Sequence, residues 1–89
     1  MTEVAFSSSF KRAFKKRIGG QKDMEEKFWR CLEIFRENPF DSRLRTHKLS
    51  GDLRGHWSLA VEYDVRIVFQ FASKNRAIFQ DIGTHDEVY

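Results

Sequence analysis

The sequence predicts an α+β fold: a single small domain over residues 1-89, in the order β-α-α-β-β-β, with an antiparallel sheet packed by an N-terminal helical hairpin. Three observations carry this. Apolar residues recur at helical spacing through Phe35 and alternate at strand spacing from His56 onward, and a Gly19-Gly20 pair divides the helical half. A chain of 89 residues builds one core, and 40% hydrophobic content with nine Phe makes large aromatic side chains the principal buried mass.

Glu3 to Phe6 is a short first strand. Ser7 to Ser9 supply N-cap candidates for a helix whose apolar positions are Phe10, Phe14 and Ile18. Gly19-Gly20 ends it, since glycine takes the left-handed conformation that closes helices at little cost. A second helix runs from about Lys22 to Arg36. Its apolar stripe is Met24, Phe28, Cys31, Leu32 and Phe35, and Asn38-Pro39 stops it. Phe40 to Arg54 is polar, basic and weakly periodic, a long loop of the sort that often carries function. From His56, the residues Trp57, Leu59, Val61 and Tyr63 alternate toward the core, leaving His56, Ser58, Glu62 and Asp64 on the opposite face. Val65 to Phe71 is a denser central strand. Ser73-Lys74-Asn75-Arg76 turns the chain into a last strand, Ala77 to Ile82. If the first strand joins the sheet, its place is beside the last or the central strand.

The lone Cys31 cannot form an internal disulfide and lies on a helical apolar stripe, so an inert buried thiol is expected. No apolar run reaches membrane-spanning length, and a soluble, cytoplasmic protein with no membrane partner is expected. Net charge is +3. The cations gather in two clusters, Lys11, Arg12, Lys15, Lys16 and Arg17, then Arg43, Arg45, Lys48 and Arg54. Such patches suit a polyanion or an acidic protein partner, although taken alone they read first as a solvated lysine-rich helix face.

Chemistry-bearing residues fall at strand ends. Asp64 precedes the tight connection to Arg66, His85 follows Gly83-Thr84, Tyr89 lies four residues further on, and the basic loop adds Arg45, His47 and Lys48. Imidazoles that titrate near neutrality, a carboxylate to orient them and cations for phosphate would make an acid–base site. Each also has a plain structural reading: His47 as a surface residue, His85 as a strand cap, Asp64 as a turn former, Arg66 as an ion-pair partner of Glu62 or Asp64. Asp81 and Asp86 lack metal-ligand company, so no metal or other cofactor is expected.

The ordered motifs, with two helices followed by Leu49-x-Gly51, Gly55-x-Trp57, Val61-Glu62-x-Asp64-x-Arg66-Ile67-Val68-Phe69 and Gly83-Thr84-His85-x-x-Val88-Tyr89, resemble the RelE/ParE superfamily across the whole chain. These are toxins of bacterial type II toxin–antitoxin systems. The Gly83-Thr84-His85 ending and His47 are similar to the YafQ-like branch. What the resemblance implies is a RelE-like fold and a metal-independent mRNA interferase, an endoribonuclease acting on mRNA in the ribosomal A site. It further implies His85 as general acid or transition-state partner, His47 as a second catalytic histidine and Asp64 as the assisting carboxylate. Arg66 would hold the scissile phosphate and Tyr89 would lie by the substrate. Arg45, Lys48, Arg54, Lys11 and Lys15 would contact RNA, and the partners would be a cognate antitoxin and the ribosome. Two positions depart from the branch: Ala60 stands where a histidine is usual, and Asp81 where an arginine is usual. Two other functions stay open on this reading, a ParE-like inhibitor of DNA gyrase and a catalytically weakened relative acting only through antitoxin binding.

Overall fold

The computed structural model describes all residues, Met1–Tyr89. Five strands form one sheet, β1 (Glu3–Phe6), β2 (His47–Lys48), β3 (Trp57–Glu62), β4 (Val65–Ser73) and β5 (Arg76–Gly83), in the spatial order β1-β5-β4-β3-β2. The helices are α1 (Ser8–Arg17), α2 (Lys22–Glu37) and a short C-terminal α3 (His85–Val88). The expected α+β architecture is therefore present, with one correction to the sheet. Strands β2 to β5 are antiparallel, but β1 runs parallel to β5, with Phe6 opposite Phe79, so the sheet is mixed. A parallel pair needs a long crossover; here everything from α1 to β4 lies between the two strands.

The helix starts and stops follow the expected chemistry. Ser7 accepts a hydrogen bond from the Phe10 backbone N–H at 3.1 Å, an N-cap, and the Ile18 and Gly19 N–H groups both close on the Phe14 carbonyl. One side of each helix is then laid on the sheet. Phe10, Ile18, Phe28, Cys31 and Phe35 are buried against Leu59, Ile67, Phe69, Phe79 and Ile82. The Phe35 ring meets those of Phe69 and Phe79 edge-on, at 5.1 and 5.2 Å between centroids, and Phe28 meets Phe14 at 5.0 Å. Such edge-to-face pairs add about 0.5–1.5 kcal/mol each beyond area burial. Burial pushes the Cys31 thiol up to about 12, which leaves it protonated and unreactive at neutral pH.

Three local departures matter for function. The expected alternation holds at Leu59 but fails at Tyr63, which is 93% exposed. The pairing register shifts between Ala60 and Glu62, and a two-residue turn, Tyr63-Asp64, then closes onto β4, so Tyr63 has left the pleat before its side chain can enter the core. His56, expected on an open strand face, is half-buried. The segment after Gly83 is helical: Thr84 and Glu87 form a capping box, the Thr84 side chain meeting the Glu87 N–H and the Glu87 carboxylate accepting from the Thr84 N–H at 2.7 Å. That backbone donor is the main reason the Glu87 carboxyl lies below its ordinary value.

Candidate functional site

The loop from Phe40 to Arg54 is shaped by its own polar residues. Asp41 caps a single 3₁₀ turn, Ser42–Leu44, by accepting from the Arg43 N–H at 2.9 Å, and it holds the Arg43 guanidinium with both carboxylate oxygens, at 3.0 and 2.9 Å. Arg45 follows in the left-handed conformation, φ 53°, unusual for a residue with a side chain. The reversal delivers His47 and Lys48 onto the edge of the sheet as β2, opposite Ser58 and Trp57. The Arg43 guanidinium holds the Asp41 carboxyl at about 2, below its usual 3.8. A carboxyl lowered by folding stabilises the fold above its ordinary value and gives that up as pH falls toward about 2. Between those limits the wild type is expected to lose melting temperature faster than an Asp41→Asn variant, which circular dichroism melts at stepped pH would show.

The register then assembles the site. His47 lies opposite Ser58, and Ser58 opposite Val68 and so in line with Asp81. The next row on the same face is Ala60, Arg66 and Gly83. Ser58 is fully buried although it lies on the face away from α1 and α2, and its hydroxyl is hydrogen-bonded to the hydroxyl of Tyr89, the residue that follows α3. Tyr89 in turn stands edge-on to the His85 ring at 4.7 Å. His47, His85, Tyr89 and Arg66 are thus gathered on one end of one sheet face. Asp64 lies two residues before Arg66 and His85 two after Gly83, so the same register carries Asp64, exposed and without an ion-pair partner, toward that end.

Tautomers can be assigned in part. The His47 Nδ1 lies 2.9 Å from the Arg45 carbonyl oxygen. A carbonyl only accepts, so Nδ1 carries the proton, and in the neutral ring Nε2 keeps a free lone pair. The His85 Nδ1 is 3.5 Å from the Asp86 carboxylate, at the limit of a hydrogen bond, with its side chain 68% exposed. Arg66 donates only to the Tyr63 carbonyl, at 3.3 Å, and pairs with neither Glu62 nor Asp64; Glu62 is taken by Lys27 at 2.7 Å. Arg66 therefore keeps its charge free for an anion.

Asp81, which stands where the branch usually has arginine, is neutralised from α1. The Arg17 guanidinium reaches it at 3.0 Å, also donates to the Ile82 carbonyl, and lies 3.6 Å from the Glu87 carboxylate. Gly83 makes room for this: a β-carbon there would come within 2.9 Å of Arg17 Nη1 and 2.8 Å of Glu87 Oε1. Ser58 and Arg17 are the residues that sequence reasoning left without a role. The Thr84-x-x-Glu87 pattern was the available signal for α3, and once α3 is recognised Ser58 and Arg17 are its anchoring points.

The RNA-contact candidates separate. Arg45 lines a cleft with Arg66. Lys48 and Arg54 line a neighbouring cavity of about 610 Å³ with Ser50 and His56, and Lys48 Nζ stands 5.5 Å over the Trp57 ring. Lys11 lines an apolar hollow with Phe10, Phe14 and Trp29 in the helical layer, and Lys15 is exposed on the same helix; neither is brought to the histidines. No three His, Cys, Asp or Glu side chains converge as a metal-ligand set.

A family model described as "Bacterial toxin of type II toxin-antitoxin system, YafQ" matches residues 2–89. The chain belongs to the YafQ toxin family. Solved structures agree on the fold. YafQ from E. coli is 18% identical, with a TM-score of 0.78 covering 100% of this chain and 99% of that one. A YoeB/ParE toxin from Agrobacterium tumefaciens is 20% identical, with a TM-score of 0.77 over 94% and 99%. The E. coli DinJ-YafQ toxin-antitoxin complex contains a chain 21% identical, with a TM-score of 0.71 over 99% and 97%. A comparison with curated protein sequences finds no match. As a YafQ-family chain, the protein is a toxin of a type II toxin–antitoxin system. None of its helices is long and apolar enough to cross a membrane.

Proposed function

We propose that this YafQ-family toxin is a metal-independent endoribonuclease that cleaves mRNA in the ribosomal A site. The observation that carries the reading is the gathering of His47, His85, Tyr89 and an unpaired Arg66 on one end of the sheet. In the proposed reaction, His47 Nε2 takes the proton of a ribose 2′-hydroxyl. The 2′-oxygen bonds to the adjacent phosphorus as the bond from phosphorus to the 5′-oxygen breaks, and His85 supplies the proton that the departing oxygen needs. The products are a 2′,3′-cyclic phosphate and a free 5′-hydroxyl. Arg66 balances the charge growing on the phosphoryl oxygens, an effect that in enzymes is often the largest single contribution to rate. Asp64 assists by orienting an imidazole, and Tyr89 lies beside the substrate, its ring fixed by Ser58.

Arg45, Lys48 and Arg54 meet RNA backbone in this reading, with Lys11 and Lys15 as a second, remote basic contact. A cognate antitoxin is the other partner: an acidic segment that orders on binding would cover the basic groove. The site of action is the cytoplasm, where translating ribosomes are.

Primer extension on ribosome-bound mRNA is the direct test. Purified toxin is expected to produce discrete cuts that disappear when a 2′-deoxy nucleotide replaces the one before the cut, while plasmid supercoiling by gyrase is unchanged. Absence of cuts together with inhibition of supercoiling would establish the gyrase reading instead. Cuts that survive the 2′-deoxy replacement would exclude attack by the 2′-oxygen.

A further inference from the structure

The most exposed large aromatic side chain in the molecule is Tyr63, at 93%. It stands in the β3–β4 turn at the rim of a cleft of about 210 Å³ whose other walls include Arg45, Arg66 and Ala60. Burying a large aromatic side chain is favourable, so a phenol ring held out in water is an unused contact that a ligand can take.

The charges of the cleft are sorted. Of the four charged residues that line it, Arg43 is held by Asp41 and Glu62 by Lys27. Arg45 and Arg66 are in no ion pair. Asp64, next to the ring, lies outside the lining. What remains is two free guanidinium groups beside an unstacked aromatic face. Arg45 is moreover held in a left-handed conformation, a strain that tends to persist where a side chain must point a particular way. The cleft is continuous with the site above, because it shares Arg66, and because the Arg45 carbonyl is the group that orients His47.

From these observations we infer that Tyr63 is a stacking platform for one unpaired base of the RNA substrate, adjacent to the cleaved phosphodiester, with Arg66 on the cleaved phosphate and Arg45 on the next backbone phosphate along the cleft. Aromatic stacking together with flanking cations is the usual way a protein holds single-stranded RNA. Ala60 leaves the space in which the nucleotide sits. The inference rests on the nuclease reading and adds a substrate subsite to it.

Its test uses ribosomes programmed with mRNA that carries the 2′-deoxy block, for binding, and unmodified mRNA, for cleavage. Tyr63→Ala is expected to weaken binding and raise KM roughly tenfold to a hundredfold, the effect of one lost stacked base, with kcat and melting temperature retained. Tyr63→Phe is expected to stay within about twofold of wild type, because the ring is kept. Wild-type binding by Tyr63→Ala would overturn the proposal, as would an equal loss in Tyr63→Phe, which would assign the effect to the hydroxyl. A Tyr63→Ala variant impaired only in antitoxin binding would make the ring a protein contact. If the wild-type toxin itself neither binds nor cuts the mRNA, the nuclease reading fails and the subsite with it; a loss confined to Tyr63→Ala tests the subsite alone.

Discussion

A His85→Ala variant is expected to cleave ribosome-bound mRNA roughly a hundredfold to ten-thousandfold more slowly than wild type, while melting within about 2 °C of it. The two halves of the expectation have separate grounds. The His85 side chain is 68% exposed, its nearest hydrogen-bond partner is a fully exposed carboxylate at 3.5 Å, and the capping box of α3 belongs to Thr84 and Glu87. Removing the ring therefore opens no cavity and orphans no buried group. The rate loss is what one general acid–base group contributes, about 3–5.5 kcal/mol of barrier. Single-turnover cleavage measured beside a thermal melt reads both. A rate within about threefold of wild type would remove His85 from the chemistry. A large fall in melting temperature would instead make it a structural residue.

Phe79→Ala should do the opposite, costing roughly 3–5 kcal/mol of stability through a cavity far from the histidines. Phe79 is fully buried at the crossing of every layer: its ring lies 5.9 Å from Phe6, 5.7 Å from Phe10, 5.2 Å from Phe35 and 5.8 Å from Phe69. It is also the β5 residue opposite both Phe6 on β1 and Phe69 on β4. Small domains hold about 5–15 kcal/mol in total, so the variant should melt about 12–40 °C lower and lie partly unfolded at 37 °C. Phe79→Leu, which refills most of the space, should recover the greater part. A Phe79→Ala protein that melts like wild type would contradict the packing described above.

Periodicity explains which parts of this structure were legible in advance. Phe10, Phe14 and Ile18, and then Met24 through Phe35, repeat over several turns, and β4 is apolar along most of its length, so those elements announce themselves. Alternation counted from Trp57 runs straight through Tyr63 and points it at the core, and nothing in the residue types marks the register shift after Ala60. The parallel partner of β1 is invisible for a different reason: four residues specify little, and their hydrogen-bond partners are about seventy positions away. Of the site, the histidines, Arg66 and Tyr89 stood out by type and by motif. Ser58 and Arg17 did not, because a serine inside a strand and an arginine in a basic helix acquire meaning only when α3 lands on them. The reversal of charge at Asp81 likewise reads as a defect in one dimension and as half of an ion pair in three.

The pairing of β1 with β5 also sets the order in which a chain emerging from the ribosome can complete itself. Glu3 to Phe6 are made first and find their strand only after Arg76 to Gly83 are made, and α3 with His85 and Tyr89 comes later still. Until then the aromatic stripe of α1 and α2 has no sheet to cover it, and the His47 edge has neither Tyr89 nor His85 beside it. A chain that stops short of β5 thus lacks both the partner of β1 and the residues that stand over Ser58. The closed sheet and the grouping of His47, His85 and Tyr89 on it therefore arise at the same moment, once synthesis has passed the last strand.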